Sequence, residues 1–224
     1  MELSGIDYLS FDCLLRRGTG KVLEEGDDHL LLRDTMSKAY FLACDDSALG
    51  ISVLDRYADH GLDLLMVTNH ELGNIAFDRY GFKEKEECRQ AAYYGPAPAP
   101  DDSVSIRNAD LRDFPMISAN YDMISPEELR YDVERGALYI CEHDGQPVGF
   151  IGEHTEGSIG MLFVFPEHRN KGYAEAMEKY MFAKKIKEGF IPFGQVILGN
   201  DASFSLQKKM GLTMSDNIIT WMWK

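Results

Sequence analysis

Apolar positions along the chain follow two rhythms, one of period two and one near 3.6, and each predicts its own kind of element. Residues 7–16 read as a helix. Strand-like runs follow at 20–25, 29–33 and 39–44, separated by turn residues. Asp46 or Ser47 caps a helix predicted to reach His60, with Leu49, Val53 and Tyr57 on one face. Residues 62–68 have the apolar density of a buried strand. Asn69 then opens a second helix that stops at Gly81.

The pattern breaks at residues 93–102, Tyr-Tyr-Gly-Pro-Ala-Pro-Ala-Pro-Asp-Asp. Alternating proline removes hydrogen-bond donors and favours an extended linker. The expected organisation is an N-terminal α/β module over 1–95, a linker over 96–102 and a second domain over 103–224. The second domain opens with a strand at 104–108 and helices at 111–121 and 126–135. Ser125 and Glu128 give the latter helix a capping box. Strands at 137–143 and 147–153 flank the hairpin turn Asp144-Gly145. A strand at 158–165 leads through a Gly-containing turn into a helix over 172–188, with Ala174, Met177 and Met181 on one face and Gly189 as its stop. A strand at 193–198, a helix at 202–210 and a strand at 217–223 complete an α/β (α+β layered) series around a mixed, twisted sheet. Strand–Asn–helix–Gly occurs twice, Asn69 preceding Gly81 and Asn200 preceding Gly211 by about a dozen residues each. A degenerate internal duplication and a chance recurrence of common turn chemistry both account for that interval.

Charge narrows the choice of function. Acids outnumber bases 37 to 23 over 224 residues, for a formal charge of −14. A nucleic-acid partner needs a concentrated basic face, so none is expected. No apolar run approaches the roughly 20 residues needed to span a bilayer, and the N-terminus lacks the pattern of a signal peptide. A cytoplasmic protein without a membrane partner is expected. Cys13, Cys44, Cys88 and Cys141 form no CxxC pair and read as buried thiols. The six histidines show no metal-binding spacing, so no metal is expected.

The densest chemistry lies in Phe163-Val164-Phe165-Pro166-Glu167-His168-Arg169-Asn170-Lys171-Gly172-Tyr173-Ala174. An apolar strand runs into a polar turn and a long helix, whose first backbone N–H groups and dipole can hold a pyrophosphate. Gly172 permits close approach, and Arg169 and Lys171 add positive charge to an acidic chain. An ordinary solvated basic turn would use the same residues.

This stretch resembles the acyl-CoA-binding motif of the GNAT superfamily of N-acyltransferases, (Gln/Arg)-x-x-Gly-x-(Gly/Ala), through Arg169, Gly172 and Ala174. The resemblance implies a GNAT fold for the C-terminal half and acetyl-CoA or another acyl-CoA as co-substrate. It implies cofactor contacts from Phe163 and Val164 on the strand and from Arg169, Asn170, Lys171, Gly172, Tyr173 and Ala174 on the loop. It adds Asn200 and Ser203 at the next strand-to-helix turn. Residues 189–196 and the ending Trp221-Met222-Trp223 further resemble glycine N-acyltransferase-like proteins, which implies a small-molecule amine as acceptor. Many family members carry a tyrosine acid where this chain has Gln207, which cannot protonate a thiolate. The chemistry also needs a base for the incoming ammonium. On an extended chain His154, Glu156 and Ser158 share one side, so Glu156 is the first candidate base and His154 the second. A non-catalytic acyl-CoA-binding or partner-binding module and a protein-amine acetyltransferase are the alternatives. Monomer and homodimer are both open.

Overall fold

Asp46, Asn69, Ser125 and Asn200 each turn a side-chain oxygen onto a backbone N–H three residues ahead, and each starts a helix there. In the computed structural model, which describes residues 3–224, α1 (Leu9–Arg17) ends at left-handed Gly18. The strands β1 (Gly20–Glu25), β2 (His29–Asp34) and β3 (Tyr40–Cys44) follow as an antiparallel meander. After α2 (Ser47–Asp55), β4 (Leu64–Val67) returns parallel to β3. α3 (His70–Tyr80) stops at left-handed Gly81, and β5 (Glu84–Ala92) follows.

Next come β6 (Ser105–Asn108), α4 (Phe114–Ser118), α5 (Pro126–Glu134), β7 (Leu138–His143), β8 (Gln146–Glu153), β9 (Ile159–Val164) and α6 (Tyr173–Lys187). The capping box of α5 is complete, with Ser125 and Glu128 bonding each other's backbone. Asp144 and Gly145 both take positive φ, as a two-residue hairpin turn requires. The chain ends with β10 (Phe193–Ile197), α7 (Asp201–Lys209), β11 (Thr213–Met214) and β12 (Ile219–Trp223).

These elements gather into two compact units. The first holds the chain through Ala92, the short segment Thr155–Gly157 and Phe193–Lys224; the second holds Tyr93–His154 and Ser158–Pro192. In the first unit the strand order is β1-β2-β3-β4-β12-β5-β10, with β11 also on β5. The segments β4-α3-β5 and β10-α7-β12 interleave, because β12 lies between β4 and β5 while β5 lies between β12 and β10. Every residue of β3 is buried. Tyr40 and Leu42 face a core with Val53 and Leu54 of α2 and Leu72 of α3, while Phe41 faces Phe11 and Leu14 of α1. A strand covered on both faces needs apolar residues at consecutive positions, as 39–44 has.

The second unit is an antiparallel sheet, β6-β7-β8-β9. On one face Leu138, Ile140, Phe150 and Met161 pack with Ile117, Leu129 and Val133 of α4 and α5. On the other, Tyr139, Cys141, Val148 and Ile151 pack with Tyr173, Met177 and Met181 of α6. All four cysteines are buried and reduced, as expected.

Three local expectations are corrected. The helix expected to reach His60 ends at Asp55, where the Arg56 and Tyr57 N–H groups bond three residues back and tighten the chain into turns. β5 lies where no strand was expected. Residues 155–157 form a turn instead of extended chain, with Gly157 at φ 96° and the His154 N–H donating to the Ser158 carbonyl at 2.9 Å. The alternation of sides assumed for 153–158 therefore stops at Glu153.

Candidate active site

The long helix α6 begins unlike α2, α3, α5 and α7. Its N-cap is Gly172 at φ 88°, and no side chain caps its first N–H groups. Two residues earlier Asn170 is also left-handed, at φ 61°. Such turns direct successive N–H groups into a concave nest suited to an anion. A β-carbon on Gly172 would meet nothing within 4 Å, so the nest opens onto free space. Arg169 and Lys171 are exposed beside it. The Arg169 side chain donates to the Val164 carbonyl at 3.2 Å and lies 5.7 Å from the Phe163 ring, tying the loop to the end of β9.

Tyr173 is buried, its ring 5.5 Å from that of His143 and 6.1 Å from that of His168. What Tyr173 and Ala174 offer a ligand is therefore their first-turn backbone. Phe163 stacks on Phe150 at 5.5 Å, so its side chain belongs to the core and only its main chain is left to meet a ligand. β9 is irregular. Met161 takes φ 50°, and the pairing with β8 slips between Phe150 and Gly152. A left-handed methionine in a strand re-aims the neighbouring peptide groups. No composition signal marks such a residue, and the sequence reading missed it.

The candidate bases sit at the turn between β8 and β9. His154 is half-buried, and a β-carbon on Gly160 would lie 2.4 Å from its Nε2, so the imidazole lies across β9. Glu156, in the turn of the first unit, is only 4% exposed. Beneath His154 the second unit holds further ionisable groups that sequence reasoning missed. Lys185 is fully buried with its Nζ 3.4 Å from Glu153 Oε2, and Arg135 Nε meets Asp132 Oδ1 at 2.6 Å. Burial raises the Asp132 carboxyl above its usual range, against the lowering pull of Arg135 and His154. A signal for Lys185 existed, since it continues the Met177–Met181 spacing by one more helical step of four.

Asn200 and Ser203 belong to the first unit and residues 169–174 to the second. Asn200 Oδ1 accepts the Ser203 N–H at 3.1 Å as the cap of α7, and Gln207 is buried on the same helix. The first unit has its own strand-turn-helix from β3 to α2. There Asp46 itself caps the helix, accepting the Leu49 N–H at 2.8 Å beside Asp45. A carboxylate fills the place an anion would take. Among the described residues no group of three or more His, Cys, Asp or Glu is arranged to hold a metal, and no helix is long and apolar enough to cross a membrane.

Residues 104–212 match the acetyltransferase (GNAT) family. No curated protein matches the sequence. Among solved structures, a Drosophila protein superimposes with a TM-score of 0.70 at 14% identity, covering 99% of this chain and 91% of that one. A putative GNAT-family acetyltransferase from Novosphingobium aromaticivorans gives 0.60 at 16% identity, covering 96% and 95%. A GCN5-related N-acetyltransferase-like protein from Streptococcus suis gives 0.57 at 13%, covering 96% and 92%. At such identities the likeness is one of fold. The chain has the fold of the GNAT acetyltransferases, and its residues 104–212 carry that family's sequence pattern.

Proposed function

We propose that the protein is an N-acyltransferase that moves an acetyl or other acyl group from acyl-CoA directly to a primary amine of a small molecule. The observation that carries this reading is the start of α6. Its start without a side-chain cap, two left-handed residues and flanking Arg169 and Lys171 make an anion cradle in a chain of charge −14. Arg169, Asn170, Lys171 and the backbone of Gly172, Tyr173 and Ala174 would hold the pyrophosphate, and the main chain of Phe163 and Val164 the pantetheine arm. Asn200 and Ser203 are proposed contacts at the following turn.

In the transfer the acceptor nitrogen forms a bond to the acyl carbon while the carbon–sulfur bond breaks. One ammonium proton passes to a base before attack, the nitrogen loses a second to solvent as the adduct collapses to the amide, and the departing thiolate takes up a proton. His154 is the better placed base, being half exposed where Glu156 is buried, which reverses the order the sequence favours. With Gln207 at the usual tyrosine position, water is the proposed proton source for the thiolate. The likeness of residues 189–196 to glycine N-acyltransferase-like proteins makes an amino acid the first acceptor to try. The Asp46 cap supports reading the N-terminal module, residues 1–95, as a degenerate copy that does not itself bind coenzyme A. A cytoplasmic location fits the reduced cysteines.

The test is thiol release from acetyl-CoA in the presence of glycine, spermidine or kanamycin. Release that depends on one amine supports the enzyme. Tight coenzyme A binding without release from any would favour the second reading, an acyl-CoA-binding module, for which Gln207 speaks.

A further inference from the structure

Glu153, the last residue of β8, is 5% exposed and held from several directions within the second unit. Its N–H donates to the Ala137 carbonyl at 3.0 Å, and its carbonyl accepts from Arg135 Nη2. Arg135, just past α5, is itself braced by Asp132 at 2.6 Å. From α6, Lys185 sets its Nζ 3.4 Å from the Glu153 carboxylate and 5.1 Å from the Phe190 ring. The next residue is His154.

Burying two full charges is a poor route to stability, because apolar residues of similar volume commonly replace such a pair at no loss. What the charges give here is a fixed direction for one peptide. Both main-chain polar groups and the side chain of Glu153 are pinned just before the chain turns, and the turn is closed by the His154 N–H itself. We infer that Arg135 and Lys185 are positioning residues for His154, holding its imidazole over Gly160 of β9 through Glu153. The inference rests on the proposed role of His154 as the base.

Glu153→Met/Lys185→Met removes both charges of the pair together, and Arg135→Gln removes the main-chain contact. With acetyl-CoA and the panel amine that turns over, kcat is expected to fall about 10- to 100-fold, the scale for a misplaced reacting group. Coenzyme A affinity and the amine KM stay near wild type, and the double variant melts no earlier. Carbon-13 histidine spectra should show the His154 signal shifted or broadened, and those of His29, His60, His70, His143 and His168 in place. A double variant with the wild-type His154 signal and wild-type kcat overturns the inference. Should the wild type transfer nothing to any amine, the enzyme reading falls, and the His154 signal alone still decides whether the clamp exists. An active His154→Ala variant would overturn the base assignment separately.

Discussion

Asn170 and Gly172 stand two residues apart, both left-handed, with Lys171 between them and the uncapped start of α6 behind. Only Gly172 is of a type that adopts this conformation freely. Because a β-carbon there would meet no atom, Gly172→Ala is expected to cost only backbone strain, about 1–2 kcal/mol, with a modest loss of affinity. Gly172→Glu adds a carboxylate to the same opening. Coenzyme A binding by calorimetry should weaken at least about tenfold, ~1.4 kcal/mol. Wild-type affinity in the glutamate variant would remove this loop from the cofactor site.

Gly160 offers a test of His154 that leaves the imidazole chemistry in place. A methyl group at 160 would fall 2.4 Å from His154 Nε2, the far end of a movable side chain. Gly160→Ala should therefore displace the ring while costing roughly 1 kcal/mol or less of stability. Turnover should drop with coenzyme A affinity kept. Full turnover in this variant would argue that the present ring position is irrelevant to transfer.

The helix starts were legible because capping is local chemistry, and Asn69, Ser125 and Asn200 lie where they were expected. So was the glycine turn from β9 into α6, with Gly172 at the helix start. β5 was not legible. Its sequence, Glu-Lys-Glu-Glu-Cys-Arg-Gln-Ala-Ala, resembles a solvated segment, yet it lies between β12 and β10. Fully buried Gln90 is tolerated there because its N–H donates to Ser215 Oγ at 3.1 Å and its side-chain amide to the Ile6 carbonyl. Those partners lie 125 and 84 residues away in sequence, so no local pattern could announce them. The turn at 155–157 was misread for the opposite reason. Polar alternation fits a strand edge, but Gly157 at φ 96° ends it.

The cysteines decide whether a thiol assay can be trusted on this protein. Burial pushes the Cys88 thiol up to about 12 and Cys141 to about 11, and raises Cys44 as well. Cys13 is 1% exposed. Near pH 8 fewer than about one in a thousand of the Cys88 or Cys141 thiols is ionised, and the thiolate is the reactive form. An aromatic disulfide dye should leave the native protein unlabelled over an assay and titrate four thiols after denaturation. A fast-reacting native thiol would contradict the packing described for these residues.

Arg107 on β6 joins Asp113, through two bonds of 2.7 and 2.8 Å, to Glu142 of β7 at 2.8 Å. The guanidinium holds the Asp113 carboxyl below its usual range, against a smaller opposing effect of burial. For an acid whose folded pKa is depressed, the stabilisation is present above the unfolded value, near 3.9, and is lost as pH falls through the folded value. Arg107 is 40% exposed, so solvent screens the pair. Arg107→Met is accordingly expected to cost only about 1 kcal/mol at pH 7. The gap between wild type and variant in guanidinium melts should narrow as the solution is taken below about pH 4. A gap that stays constant across that range would show that the arginine acts through the packing of its stem instead of its charge.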